Sequence, residues 1–446
     1  MRETRTVQLS IFDSNSKHDH GVLFSEVSQL LDEHPEVLEV LSADLIDPYC
    51  QQTGSHGLSV ESILRCLLLK RILDVSYEKL AFHLSDSITY RSFARIEGAY
   101  YPSRSGLQSV IRKIRPQTLQ QIHELLCINW HRQGLIDSDQ IRIDSTVVEA
   151  NIAPPSDSGL LNDSIRVLSR QMAICHRDTG LKVRYIDQRA HSKQLAFAIF
   201  HAKSTEKEAL YPKLLFCANL VLKQVNRTLQ ALKEQPVVEE SAVRWAKLVE
   251  HHRQLLCLVI HQTQQRVYDD SPVVSSEKIV SIFESHTDII VKSAKDVYYG
   301  HKINLTTDTQ GLVIHLDILQ GNPADQTLYL PVLEAHHNIF GDLSHTTVAD
   351  GGYASAENVA TARAEGVARV AFHKRTGLGY HAMGVKKKTL RKLRAFRAGI
   401  EGNISELKRS FGLSKANWKK QSGFNAFVWS GVLSYNLVRM CRLSTA

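Results

Sequence analysis

Three acidic residues stand where a carboxylate is hard to explain as ordinary surface charge. Asp144 lies inside IRIDSTVVEANI (Ile141–Ile152), whose alternation predicts a strand. An acid facing inward from a strand costs free energy unless it has a partner. Asp350 ends the β-rich run TTVAD and is followed by Gly351 and Gly352. Asp is depleted in strands, so it either forms the turn or is delivered there for chemistry. Glu401 lies in LRAFRAGIEGNISELKRSFGL, a predicted helix. Spacings of four and seven put Arg397, Glu401 and Lys408 on one face, opposite an apolar stripe of Ile400, Ile404, Leu407 and Phe411. Glu406 falls away from that face.

Three carboxylates that converge repel one another unless a hard cation sits between them. Mg²⁺ takes oxygen ligands and keeps places for water or phosphate. Two such ions about 4 Å apart activate an attacking oxygen and stabilise a leaving one in phosphoryl transfer. Arg397 and Lys408 would then lie near DNA phosphates, and the two glycines would let backbone or substrate approach closely. Each acid also has a plainer reading. Asp144 can pair locally, Asp350 can open a turn, and Glu401 can be the i+4 surface partner of Arg397. Spacing alone leaves both readings open.

The elements around these acids are predicted from periodicity and punctuation. Residues 1 to about 140 read as helices. VESILRCLLLKRIL (Val60–Leu73) has helical apolar spacing, Ser76 can cap a second helix, and Pro116 separates two more. Short helices with tight turns suit either a helix-turn-helix-like module or a plain bundle. After the Asp144 strand, residues 153–285 read mostly as helices, with two long amphipathic stretches separated near Pro236. Two β runs flank TDTQG as a hairpin. A helix over Asp325–Phe340, the Asp350 strand, a short helix and another strand follow. That order indicates a mixed α/β sheet with a helical insertion after its first strand. The visible linkers are Pro154–Gly159 and Lys374–Gly384.

Composition narrows the partners. The chain has 446 residues, 43% hydrophobic and 22% charged, which suits a globular protein with a sizeable core. The net charge of +8 favours a polyanionic partner. From Phe372 to Ala446 there are 16 Lys and Arg against 2 acids, so the rest of the chain is net acidic. Trp418, Phe424, Phe427, Trp429 and Tyr435 in this stretch predict that it is folded, facing a polyanion, rather than a disordered tail. The seven scattered cysteines form no CxxC pair, which argues against a disulfide framework or zinc ribbon and fits a reducing cytoplasm. No apolar signal core or membrane-length run is present in the sequence.

Other motifs fail. GYHAMGV has a phosphate-loop-like glycine spacing, but Val385 stands where lysine is needed. His251–His252 and His336–His337 are adjacent and do not share a helix face, so they make poor metal clamps.

The stretches IRIDSTVVEANIAPPSDSGLLNDSIRVLSR, SIFESHTDII, YYGHKINL, LQGNPAD, VADGGYAS and RAGIEGNISELKRSFGL occur in this order. Together they resemble a DDE transposase of bacterial insertion sequences, and VESILRCLLLKRILDVSYEKLAFHLSDSITYRSF is similar to the N-terminal domain of that family. The resemblance implies an RNase H-like catalytic core with a large helical insertion after its first strand, plus a helical N-terminal DNA-binding domain. It sets domains at 1–139, 140–420 with the insertion at about 153–285, and a C-terminal helical tail at 421–446. By motif, Asp144, Asp350 and Glu401 take the catalytic, metal-holding positions, with two Mg²⁺ expected and Mn²⁺ able to substitute. Arg397 and Lys408 match basic positions of the family's signature around the Glu, where they would contact DNA phosphate. The Tyr of that signature is replaced by Arg394. The implied partners are terminal inverted repeats and target DNA, bound by a homodimer or larger assembly in the cytoplasm. Two alternatives remain: a metal-dependent nuclease that cuts without joining, and a non-catalytic DNA-binding remnant. A lost acid would mark the remnant, and all three acids are present.

Overall fold

The computed structural model describes residues 19–47, 57–98, 100–235, 239–269, 271–292, 296–373 and 378–444. Cys50, Pro236 and the first four residues of the 374–384 linker lie outside them. The chain divides into two compact units. One comprises residues 1–151 and 300–446, and the other residues 152–299.

The first unit opens with seven helices: α1 (Asp19–Asp32), α2 (Glu36–Leu45), α3 (Val60–Ile72), α4 (Tyr77–Asp86), α5 (Ile88–Phe93), α6 (Arg104–Ile111) and α7 (Pro116–Arg132). Their starts are written in local chemistry. Ser59 and Ser76 each accept a backbone N–H three residues on, from Ser62 and Lys79, which satisfies one orphan donor of each helix. Pro116 opens α7 at a position where a missing N–H costs nothing. α3 is buried along nearly its whole length, charged residues included. The Arg65 and Arg95 guanidinium groups both reach Glu61 and Asp32, so the buried charges are paired.

Strand β1 (Gln140–Ala150) leads into the second unit, whose helices are α8 (Asp157–Thr179), α9 (Arg189–His201), α10 (Ser204–Lys233) and α11 (Glu240–Val267). This unit has its own core, built from Leu161, Ile165, Leu168, Leu214, Val225, Trp245 and Leu256 among others. The Trp245 indole donates to the Gln171 carbonyl at 3.1 Å, tying α11 to α8. The unit ends with β2 (Asp288–Val291) and the first residues of β3 (Val297–Thr307).

The rest of the first unit is β4 (Val313–Ile318), α12 (Asp325–Phe340), β5 (Thr346–Ala349), α13 (Ala356–Ala364), β6 (Arg369–Phe372), α14 (Lys387–Ser410), β7 (Lys415–Ala416) and α15 (Lys420–Ser444). The sheet is mixed and seven-stranded, in the order β2-β3-β1-β5-β6, with β4 also on β3 and β7 also on β1. β1 runs antiparallel to β3 and parallel to β5, and β5 runs parallel to β6. The first expected strand is thus central. The C-terminal segment is folded, as its aromatic content predicts, but its rings turn inward. Phe424, Phe427, Trp429 and Tyr435 are buried in the core of this unit, and α15 packs on α7, α3 and α1. Arg71 of α3 stacks on the Phe427 ring at 3.8 Å from its centroid and donates to the Phe411 carbonyl at 2.5 Å.

The β3–β4 turn is built on Asp308, whose Oδ1 accepts the N–H groups of Gln310 and Leu312 at 3.0 and 2.8 Å. Its Oδ2 is buried and, among the described residues, has no hydrogen-bond partner. Burial is the main cause that pushes this carboxyl up to about 6. The folded state therefore holds the proton more tightly than the unfolded chain. The stability this contributes is present below about pH 4 and is lost as pH rises through about 6. Asp308→Asn keeps the Oδ1 acceptor and cannot ionise. It is expected to stabilise the protein by about 1–3 kcal/mol at pH 8, with the gain shrinking toward pH 4. Thermal unfolding at both pH values measures this. An equal effect at the two would show that the turn's N–H groups keep the carboxylate ionised without penalty.

Candidate active site

Strand alternation and parallel pairing bring the acids together. Asp144 lies at the middle of β1, where it pairs across to Leu305 of β3. β5 lies beside the first half of β1, with Ala349 in register with Ile143. Asp350 is the first residue past β5, so the strand stops one residue before the acid, which begins a 3-10 turn over Gly351–Tyr353. α14 packs against both β1 and β5 and carries Glu401.

All three carboxylates gather on one guanidinium. Arg397 Nη2 lies 3.2 Å from Asp144 Oδ2 and 2.9 Å from Glu401 Oε1, and its Nη1 lies 3.8 Å from Asp350 Oδ1. The side chains of Asp144 and Arg397 are 15% and 11% exposed, whereas Asp350 and Glu401 are 45% and 61% exposed. The cluster therefore has a buried floor and an open rim. Burial raises the Asp144 pKa above the ordinary carboxylate value. The neighbouring Arg397 and the Ser145 N–H pull it back, and Asp350 raises it further. A cation beside Asp144 is what keeps a buried carboxylate charged.

Among the described residues, no three His, Cys, Asp or Glu side chains are grouped as a metal site. The acids instead share the positive charge of Arg397. Their donor set is all carboxylate oxygen, with no thiolate or imidazole, and this fits a hard divalent cation.

Lys408 lies on the same helix two turns beyond Glu401, and its carbonyl accepts from Ser414 Oγ. The ion pairs that gather the acids run through Arg397. Arg394 lies one turn before Arg397, with its Nε buried and, among the described residues, without a hydrogen-bond partner. Glu406 pairs with Arg442 at 2.5 Å, away from the three acids.

Several supporting residues were missed by the sequence reading. Asp325, at the start of α12, accepts from Ser145 Oγ at 3.0 Å and pairs with Lys302 Nζ at 2.6 Å. Ser145 in turn donates its N–H to Asp144 Oδ1 at 2.8 Å. A Cβ on Gly352 would lie 2.8 Å from Asp325 Oδ2, so the second glycine after Asp350 makes room for this acid. Asp325 lies in the LQGNPAD stretch, which is the one signal that could have found it.

Arg142 is the other missed residue. It lies on β1 two residues before Asp144 and reaches under α14. It donates to Thr307 Oγ1 at 2.9 Å, the Phe396 carbonyl at 3.0 Å and Asn403 Oδ1 at 3.1 Å. Asn403 donates on to the Tyr435 hydroxyl at 2.7 Å. A Cβ on Gly399 would run into the Arg142 guanidinium. The glycine lets α14 sit close enough to β1 for Arg397 to meet Asp144.

Residues 276–437 match the family model described as Transposase DDE domain, and residues 11–112 match the one described as Transposase domain (DUF772). Asp350, Arg397, Glu401 and Lys408 fall inside the first match, and Asp144 lies outside both. No curated protein and no solved structure matches the chain. The chain carries a transposase DDE domain and a second transposase domain, and both matches agree with the DDE-transposase resemblance that its motifs carry.

Proposed function

We propose that this chain cuts DNA at the ends of an insertion sequence and joins the freed ends to target DNA, with Asp144, Asp350 and Glu401 as the catalytic acids on an RNase H-like core. The observation that carries this is the gathering of three carboxylates, from the middle of β1, the end of β5 and α14, onto Arg397. These acids would hold Mg²⁺, two ions in the full reaction, with Mn²⁺ able to substitute. When bound, the metal lowers the pKa of an attacking water or 3′-hydroxyl and offsets charge on the leaving oxygen.

The chain's own residues supply position and charge. The Ser145 N–H and Arg397 orient Asp144, and Asp325 fixes Ser145 through its hydroxyl. Arg142 and Asn403 hold α14 on the sheet, which places Glu401. Arg397 offsets the mutual repulsion of the acids, and with Lys408 it offers positive charge to DNA phosphate. Both steps are displacements at phosphorus, so positioning and charge carry the catalysis. The N-terminal helices are assigned to terminal inverted repeats, and pairing two ends calls for a dimer or larger assembly. No helix is long and apolar enough to cross a membrane among the described residues.

The test compares wild type with Asp350→Ala on a DNA fragment carrying the sequences that flank this gene, with Mg²⁺. Cleavage and joining by wild type alone is the expected result. Cleavage without joining would make the chain a nuclease. End binding without cleavage by either protein would make it a DNA-binding remnant. Cleavage by both would remove Asp350 from the site.

A further inference from the structure

A second basic feature lies in the helical unit of residues 152–299, which the acid cluster does not use. α8 and α9 border a groove of about 520 Å³ lined by Asn162, Asp163, Arg166, Arg170, Arg189 and Lys193, with Ala190 completing it. Arg166 and Arg170 come from α8 one turn apart, and Arg189 and Lys193 come from α9 one turn apart. Four cations and one acid, Asp163, therefore line the groove. Two of the four are partly neutralised: Arg166 pairs with Asp163 at 2.6 Å and Arg189 with Asp187 at 2.5 Å. Those pairs hold the two guanidinium groups at the groove, while Arg170 and Lys193 are exposed.

α9 continues along the same face. Spacings of four, four and three carry it from Arg189 through Lys193 to Phe197 and Phe200, whose side chains are 68% and 73% exposed. The other face of α9 is packed into the unit's core through Leu195 and Ile199, so the two phenylalanines are left on its solvent side. Both rings also lean on His201, at 4.4 and 5.1 Å between centroids. Cations leading into largely exposed aromatic rings are an arrangement that binds nucleic acid, with unpaired bases stacking on the rings.

We infer that the α8–α9 groove is a binding site for the sugar-phosphate backbone of DNA, contacted by Arg166, Arg170, Arg189 and Lys193. This rests on the reading of the chain as a DNA-processing enzyme and gives the helical unit a part in holding substrate. The backbone could belong to a duplex or to an unpaired strand, and Phe197 and Phe200 separate the two.

The test uses the full-length chain and fluorescein-labelled DNA, once as a duplex and once as one of its strands, titrated over a range of salt. Arg170→Ala/Lys193→Ala spares the two paired arginines and is compared with wild type after matching thermal unfolding. Losing two phosphate contacts is expected to reduce the slope of log affinity against log salt by about 1.8 on duplex or about 1.4 on single strand. An unchanged slope, with wild type binding DNA normally, would overturn the groove and leave the proposed function standing. Failure of wild type to bind either DNA would overturn both. With the slope reduced, Phe197→Ala/Phe200→Ala assigns the source: weaker binding of the single strand alone means an unpaired strand, and no change on either DNA means a duplex backbone.

Discussion

Asp144→Asn is expected to lower cleavage of DNA ends by about 10³-fold or more, with DNA binding and unfolding temperature staying near wild type. Asn has the same shape and keeps an oxygen for the Ser145 N–H. What it loses is the charge, and with it the oxygen proposed to bind metal and one of the three acidic partners of Arg397. The fold should tolerate this because Asn is close in shape and burial disfavours the charged form of Asp144. Arg397 is not left alone, since Glu401 and Asp350 still face it. Gel assays of end cleavage in Mg²⁺, alongside anisotropy for binding and thermal melts for folding, separate the two effects. A variant that cuts within tenfold of wild type would sink Asp144 as a ligand. One that fails to fold would make it a structural anchor of the sheet instead.

Gly399→Ala is expected to cost about 10²-fold in cleavage and about 1–3 kcal/mol in stability, although Gly399 touches no acid. Ala is the better helix former, so local propensity alone would make this change stabilising. The opposite sign follows from Arg142, whose guanidinium lies where the new methyl would go and is held by three hydrogen bonds. Either that clamp breaks or α14 moves off β1, and a shift of about 1 Å in α14 is enough to misplace Glu401. Unfolding in denaturant gives the stability change, and cleavage under native conditions gives the catalytic one. Higher stability with normal cleavage would mean that the guanidinium simply turns aside.

The two residues that make this argument were not legible in the sequence, and the reason is physical. Glu401 and Arg397 are four apart on one helix, so their meeting is fixed by helical period alone. Ser76 and Pro116 announced helix boundaries through local backbone needs, and the alternation of β1 and the hairpin around Asp308 were equally local. Arg142, by contrast, reads as one more polar residue in an alternating strand, and Gly399 as a weak point in a helix. Their roles exist only because α14 crosses β1 at that point. Asp325 likewise becomes part of the site through Ser145 and Lys302, on β1 and β3, and sequence distance hides such contacts. The C-terminal aromatics signalled order, but only packing against α3 and α7 shows that they face inward.

That last packing has a consequence for how the chain is made. α3 and α7 leave the ribosome well before α15, whose rings and aliphatic side chains cover them. β1 must likewise wait for β3, since Asp144 pairs with Leu305. Closing so long a loop is slow, and surface that waits uncovered is prone to aggregate. The helical unit between β1 and β3 has its own core, so its packing does not depend on that closure. A translation product that stops before α15 would hold Asp144, Asp350 and Glu401 and still lack the helix that covers the core against α3 and α7.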